Sequence, residues 1–144
     1  MALDRHSFYV DSIDFSRDKM IVISIDINNL KIINDTQGHN MGDKAIMAVS
    51  DSIFRNIIRG CQYYRMGGDE FTILCPKKEI AEVEEMMNRI VDDAKESGYI
   101  VAWGYAVFKP NMDFEKVYCE ADRKMYENKA MLKNTANEQE NLAD

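Results

Sequence analysis

The apolar positions of the chain alternate between two periods. "MIVISIDI", Met20 to Ile27, is β-branched and nearly continuous, the pattern of a strand buried on both faces, and it runs out at Asp26. The next stretch, "NNLKIINDTQGHNMGD", carries Asn, Asp and Gly signals for a short helix and then a loop. From Asp43 to about Ile58, Ala45, Ala48, Val49, Ile53 and Ile57 recur at helical spacing, with Asp43 placed to cap or start the helix. A hairpin follows, with strands near Cys61 to Met66 and Phe71 to Cys75. Glu79 to Glu96 puts Ile80, Val83, Met87, Ile90, Val91 and Ala94 on one helical face. "YIVAWGYAVF" predicts another strand, bent at Gly104, and Asp113 to about Leu132 a last helix with Val117, Ala121, Met125 and Tyr126 facing inward.

The order β-α-α-β-β-α-β-α predicts an α/β fold: a mixed, largely antiparallel central sheet flanked by helices, of ferredoxin-like topology. Such topologies place sites at strand ends, so the end of the first strand and the hairpin turn become candidate neighbours. No repeat or Pro/Gly-rich linker divides the 144 residues, and one domain is the simplest account. The last residues, "NTANEQENLAD", are polar and acidic and predict a disordered tail over 134–144. The run Met20 to Ile25 is too short to span a bilayer and no signal peptide is recognisable, so a cytoplasmic domain without membrane contact is expected.

Charge narrows the partners. With 18 Lys+Arg against 25 Asp+Glu the formal charge is -7, which disfavours nucleic acid and anionic membranes; a polyanionic ligand would need a local basic patch or bound cations. Cys61, Cys75 and Cys119 are far apart and odd in number, and suggest neither a disulfide framework nor a zinc site.

The chemistry gathers at "YYRMGGDEFTILC". Gly67 and Gly68 suit a strand reversal, but the adjacent Asp69 and Glu70 repel each other unless solvent or a cation neutralises them. If the strands are neighbours, Asp26, Asp69 and Glu70 converge, and an all-oxygen set of this kind selects Mg²⁺ or Mn²⁺ with phosphate oxygens completing the shell. On the turn alone, a hairpin with solvated acids is the favoured reading. "DINN" reads equally as a strand end followed by an Asn helix cap. An EF-hand fails because Leu30 and Lys31 stand where an oxygen ligand and a glycine belong, and "GHNMGDK" lacks Walker A spacing. His39 suits a loop-structuring role, Trp103 the core, and Met86, Met87, Met125 and Met131 core or helix-face positions.

These residues resemble the GGDEF domains, the diguanylate cyclases. "GGDEF" stands intact at Gly67 to Phe71, preceded by Arg65; "DINNLKIINDTQGHNMGD" resembles the family's D-x-D-x-F-K-x-x-N-D-x-x-G-H-x-x-G-D; and "ADRKMYENK" resembles its A-D-x-x-x-Y-x-x-K. The resemblance covers Ile23 to Lys133 and implies a nucleotidyl cyclase-like fold over residues 1–133, with the signature at a hairpin turn. It implies condensation of two GTP to cyclic di-GMP and pyrophosphate by a transient homodimer using two-metal catalysis with Mg²⁺ or Mn²⁺. By position it implies metal ligation by Asp26, the Ile27 carbonyl, Asp69 and Glu70, with Asp69 and Glu70 catalytic and Glu70 a ligand or the proton acceptor. Asn34 and Asp43 would read guanine, the carboxylate taking its N–H donors. The backbone from Asn28 and Asn29 through Leu30 and Lys31 would meet phosphates, as would Lys129 and Lys133, which lie one helical turn apart. Without the family, those lysines read as a solvated face.

Departures matter too. Asn28 stands for the family's second aspartate, Leu30 for its phenylalanine, Leu132 for glycine, Lys133 for arginine and Ala102 for serine. Lysine keeps the charge but loses the bidentate fork. The product-inhibition R-x-x-D is absent, Ile58 and Cys61 standing at its positions, so feedback through it is not expected. "LDRHSF" resembles only the end of the family's opening motif, and the chain looks like an output domain without its N-terminal sensory or regulatory region. The alternative is a catalytically weak or inactive GTP-binding regulatory module of the same fold; a pure dimerisation scaffold is the weakest reading.

Overall fold

The computed structural model describes residues 2–134 in full and residues 135–143 by backbone alone. In chain order the elements are α1 (Arg5–Phe15), β1 (Met20–Ile27), α2 (Leu30–Gln37), α3 (His39–Asn56), β2 (Gln62–Gly67), β3 (Glu70–Pro76), α4 (Ile80–Glu96), β4 (Val101–Phe108) and α5 (Phe114–Ala143). The strands form one sheet in the order β2-β3-β1-β4. Every ladder between them is antiparallel, and a parallel bridge joins Leu3 to Tyr64 at the outer side of β2. The predicted architecture is thus present, with α1 added in front. Among the described residues no helix is long and apolar enough to cross a membrane.

β1 is the axis of the fold. It is laddered to β3 on one side and β4 on the other, and all eight of its residues are buried. Its odd positions, Ile21, Ile23, Ile25 and Ile27, enter a core with Ala45, Val49 and Ile53 of α3 and Val83, Met87 and Ile90 of α4. Its even positions begin apolar, Met20 and Val22 packing with Phe8, Val117 and Ala121, and end polar at Ser24 and Asp26. Each fully buried isoleucine contributes roughly 1.5–3 kcal/mol, which fixes the register and with it the side on which Asp26 emerges.

Several boundaries differ from the pattern. α1 is not evident in the sequence because only Phe8 and Ser12 of it are buried; its start is set locally by Asp4, whose Oδ1 accepts from the Ser7 N–H at 2.8 Å. No loop separates α2 from α3. The two meet at Gly38, whose φ of 89° lets the chain turn between helices, so α3 begins at His39 and Asp43 lies exposed inside it rather than capping it. Asn29 holds the cap position of α2 in a left-handed conformation, φ 62°, and its side chain makes no capping bond. Ile80, expected to face inward, is exposed at the first turn of α4. Tyr126 is half exposed and Met131 is exposed. Trp103 is only half-buried, because β4 is an edge strand whose outer part is incompletely covered. The tail expected over 134–144 falls almost wholly on residues outside those described in full.

β4 does not bend at Gly104; its register with β1 is unbroken. A Cβ there would lie 2.3 Å from the backbone nitrogen of Met125 and 2.6 Å from the backbone carbon of Lys124, so the glycine exists to let α5 lie directly on the strand. Gly104→Ala is expected to cost about 2 kcal/mol or more in urea unfolding, since the clash is with backbone on both sides. An unchanged midpoint would show that α5 is not seated there.

Candidate active site at the end of the central strand

β1, the signature turn and α5 meet at one end of the sheet. Asp26 lies directly opposite Glu70 in the β1–β3 ladder. Between β2 and β3 the chain reverses through Gly68 and Asp69, with φ of 138° at Gly67 and 53° at Gly68, values that favour glycine. Arg65 Nη2 donates to the Gly68 carbonyl at 3.2 Å, and the Ile27 N–H donates to the Asp69 carbonyl at 3.3 Å, tying the turn to the end of β1. The juxtaposition expected from the sequence is present.

The acids are not equivalent. Asp26 is 3% exposed; its Oδ2 accepts from Lys129 Nζ at 2.7 Å, while its Oδ1 is buried with no hydrogen-bond partner among the described residues. Burial pushes its carboxyl up to about 6, the Lys129 ammonium pulls the other way, and Asp69 beside it pushes further up. Glu70, half-buried, is raised by burial and by Asp122, against a hydrogen bond from the Tyr126 hydroxyl at 3.3 Å. That carboxylate is the main reason the Tyr126 phenol is pushed up to about 12. The three acids do not gather as expected: among the described residues, no group of three or more His, Cys, Asp or Glu side chains stands close enough to hold a metal ion. Lys129 compensates the charge of Asp26, and the Tyr126 hydroxyl donates to Glu70.

A cleft of about 340 Å³ adjoins the acids, lined by Leu30, Lys31, Asn34, Asp35, His39, Gly68 and Asp69. His39 opens α3 at its rim instead of structuring a loop. Asn34 packs against α3 at Gly42: a Cβ there would come within 1.7 Å of Asn34 Oδ1, so the missing side chain makes room for Asn34, while Asp43 is exposed on α3 and is not among the residues that line the cleft. Of the backbone donors expected at the start of α2, Asn28 is not available, because its N–H is committed to the Ile100 carbonyl at 2.8 Å. Pairing along β1 simply continues one residue past the strand. The side chain of Asn28 is buried with Oδ1 unpartnered, while Asn29, Leu30 and Lys31 occupy the cap and first turn, where helix N–H groups lack intrahelical partners. Lys133, one turn beyond Lys129, is exposed.

The sequence profile described as "Diguanylate cyclase, GGDEF domain" matches residues 11–135. The chain belongs to the GGDEF domain family. Diguanylate cyclase DosC of Escherichia coli (strain K12) is 30% identical over 115 residues, 73% of this chain and 25% of DosC. Diguanylate cyclase DgcS of Shewanella oneidensis is 30% identical over 119 residues, 78% of this chain and 40% of DgcS. The chain thus spans only about a quarter of the length of the first of these relatives. Among solved structures, the GGDEF domain of DgcB from Caulobacter crescentus in complex with c-di-GMP aligns with a TM-score of 0.82 at 24% identity, over 90% of this chain and 86% of that one, a likeness of fold. A microbial GGDEF domain solved with bis-(3′,5′)-cyclic di-GMP aligns with a TM-score of 0.77 at 28% identity, over 90% and 89%.

Ser24, Asp122 and Tyr126 were missed by motif reading as site-shaping residues. Ser24 Oγ donates to Asp122 Oδ1 at 2.7 Å, and Asp122 in turn bears on Glu70. The signal was present: Asp122, Tyr126, Lys129 and Lys133 fall at helical spacing on one stripe of α5.

The raised carboxyl of Asp26 makes the GGDEF domain less stable at neutral pH than it would be with that group uncharged. A folded pKa of about 6 against an ordinary 3.8 gives stability fully present below about pH 4 and lost as pH rises through 6. Asp26→Asn, which keeps an acceptor for Lys129, is expected to raise stability by about 1–3 kcal/mol at pH 7.5 without divalent cations. In urea titrations the gain should close near pH 4; a gain independent of pH would assign it to something other than this charge.

Proposed function

We propose that this GGDEF domain is a diguanylate cyclase output domain, cytoplasmic where GTP is available, in which two copies meet transiently and condense two GTP into cyclic di-GMP and pyrophosphate. The observation that carries this reading is the buried Oδ1 of Asp26, unpartnered among the described residues, beside Asp69, which lines the cleft. A dry carboxylate oxygen with no donor is poorly solvated and is suited to a hard cation. Asp26, the Ile27 carbonyl, Asp69 and Glu70 would hold Mg²⁺ or Mn²⁺. Such ions would neutralise phosphate charge and acidify the attacking ribose hydroxyl.

The chain's own residues would do the rest. Asn34 and Asp43 would read guanine, the carboxylate accepting from N1–H and N2–H₂ and rejecting adenine. The N–H groups of Asn29, Leu30 and Lys31 face phosphates at the helix start. Lys129, released from Asp26, turns its ammonium to the same phosphates with Lys133 beyond it, supplying the local basic patch that a protein of charge -7 requires. Glu70, with its proton affinity raised by burial and Asp122, is suited to accept the 3′-hydroxyl proton.

A second reading, a GTP-binding regulatory module with little turnover, draws on the spread of the acids and on Glu70 turning to Tyr126. Calorimetry with Mg²⁺ should give binding of GTP but not ATP, abolished by Asp43→Ala. Gly42→Ala, which alters no polar group but displaces Asn34, is expected to weaken GTP binding about tenfold, on the order of 1.4 kcal/mol. The absence of GTP binding in a folded sample would defeat both readings. Two domains joined by a tether should then form cyclic di-GMP, since tethering supplies the effective concentration that a transient dimer lacks. Glu70→Gln should abolish product at least a hundredfold while leaving GTP binding within a few-fold; binding without product in the parent tether would favour the regulatory module.

A further inference from the structure

Two thiols outside the site face each other across the signature hairpin. β2 and β3 pair with Gln62 opposite Leu74, Tyr63 opposite Ile73 and Arg65 opposite Phe71, and this register extended by one step toward the open end sets Cys61, the residue just before β2, opposite Cys75. The Tyr63 carbonyl accepts from the Leu3 N–H at 3.1 Å and the Arg65 N–H donates to the Leu3 carbonyl at 2.8 Å, so the polar groups of these residues point away from β3. Cys61 has the same parity, and its own N–H goes to the Ile58 carbonyl. The Cys61–Cys75 position is therefore a non-hydrogen-bonded pair, where Cα atoms approach to about 4.5 Å, inside the range of about 4.4–6.8 Å that a disulfide bridges. Both side chains lie on the face covered by α3 and α4, Cys75 buried and Cys61 half-buried against the same core. The two thiols act on each other: the interaction with Cys75 and the Lys78 ammonium hold the Cys61 thiol below its ordinary range, while the interaction with Cys61 and burial push Cys75 up.

We propose that Cys61 and Cys75 form a peroxide-sensitive modification site, oxidised to a disulfide that locks the open end of the hairpin. The Cys61 thiolate attacks the peroxide O–O bond, giving the Cys61 sulfenic acid and hydroxide. The Cys75 sulfur then displaces the sulfenic hydroxyl; the Cys75 proton leaves with it as water and the S–S bond forms. In total two thiols lose two electrons and two protons, and one hydrogen peroxide becomes two waters. This inference does not rest on GTP chemistry.

The test uses the reduced chain carrying Cys119→Ser, which removes the exposed third thiol. After a small molar excess of hydrogen peroxide, free thiols are alkylated under denaturing conditions and the non-reduced digest is mapped by mass. The expected result is a Cys61–Cys75 cross-linked peptide in most molecules, reversed by dithiothreitol, with a higher urea midpoint for the oxidised form. Recovery of both residues alkylated, or of Cys61 as sulfinic acid beside a free Cys75, would overturn the proposal. In Cys61→Ser, Cys75 should resist peroxide; its ready oxidation there would likewise overturn the assignment of Cys61 as the attacking thiol.

Discussion

A carboxylate at the end of a strand buried on both faces is the constraint on which this structure turns. β1 has strands on both sides and helices on both faces, so whatever stands at its last turn is carried out of water by packing that it does not control. Asp26 is held there by isoleucines committed to one core and by apolar residues committed to the other. A one-residue slip would exchange the two sets, and no such slip leaves both cores filled. The position of the acid is therefore fixed far more strongly than its charge would favour.

The surroundings follow from that cost. Lys129 sits on one oxygen of Asp26 and, among the described residues, no donor reaches the other; Asp69 adds repulsion, and Tyr126 donates to Glu70. α5 supplies three of these influences from one stripe, Asp122, Tyr126 and Lys129, and can do so only because Gly104 lets its backbone touch β4. A packing feature on an edge strand thus sets the distance from which an ammonium and a phenol act on the acids.

Much of this was legible in the sequence, for physical reasons that differ by element. The continuous β-branched run could only be an interior strand, and α4 could only be a surface helix with one buried stripe. The acids were legible because adjacent carboxylates at a tight turn need a reason. Boundaries governed by single residues were less so: α3 begins at His39 because Gly38 turns the chain within one residue, which placed Asp43 on an exposed helix face. α1 buries too little to imprint a period. The Lys129–Asp26 contact was illegible because it joins residues 103 apart in the chain, brought together by helix packing alone.

The hairpin shows how one irregularity reaches both ends of an element. At the turn Gly67 faces Glu70, and carried outward without interruption that register would set Cys61 opposite Pro76. The register shifts between Arg65 and Gly67, adding one residue to β2, and it is this bulge that brings Cys61 opposite Cys75. The same extra residue sharpens the twist near the turn that carries Asp69 and Glu70 toward Asp26. Alternation then sends Glu70 to the α5 face and Cys75 to the α3 and α4 face. Glu70 and Cys75 are consequently on opposite sides of one strand, joined by backbone and kept apart by the sheet, so a covalent change at the open end reaches the turn only through the register of β2 against β3.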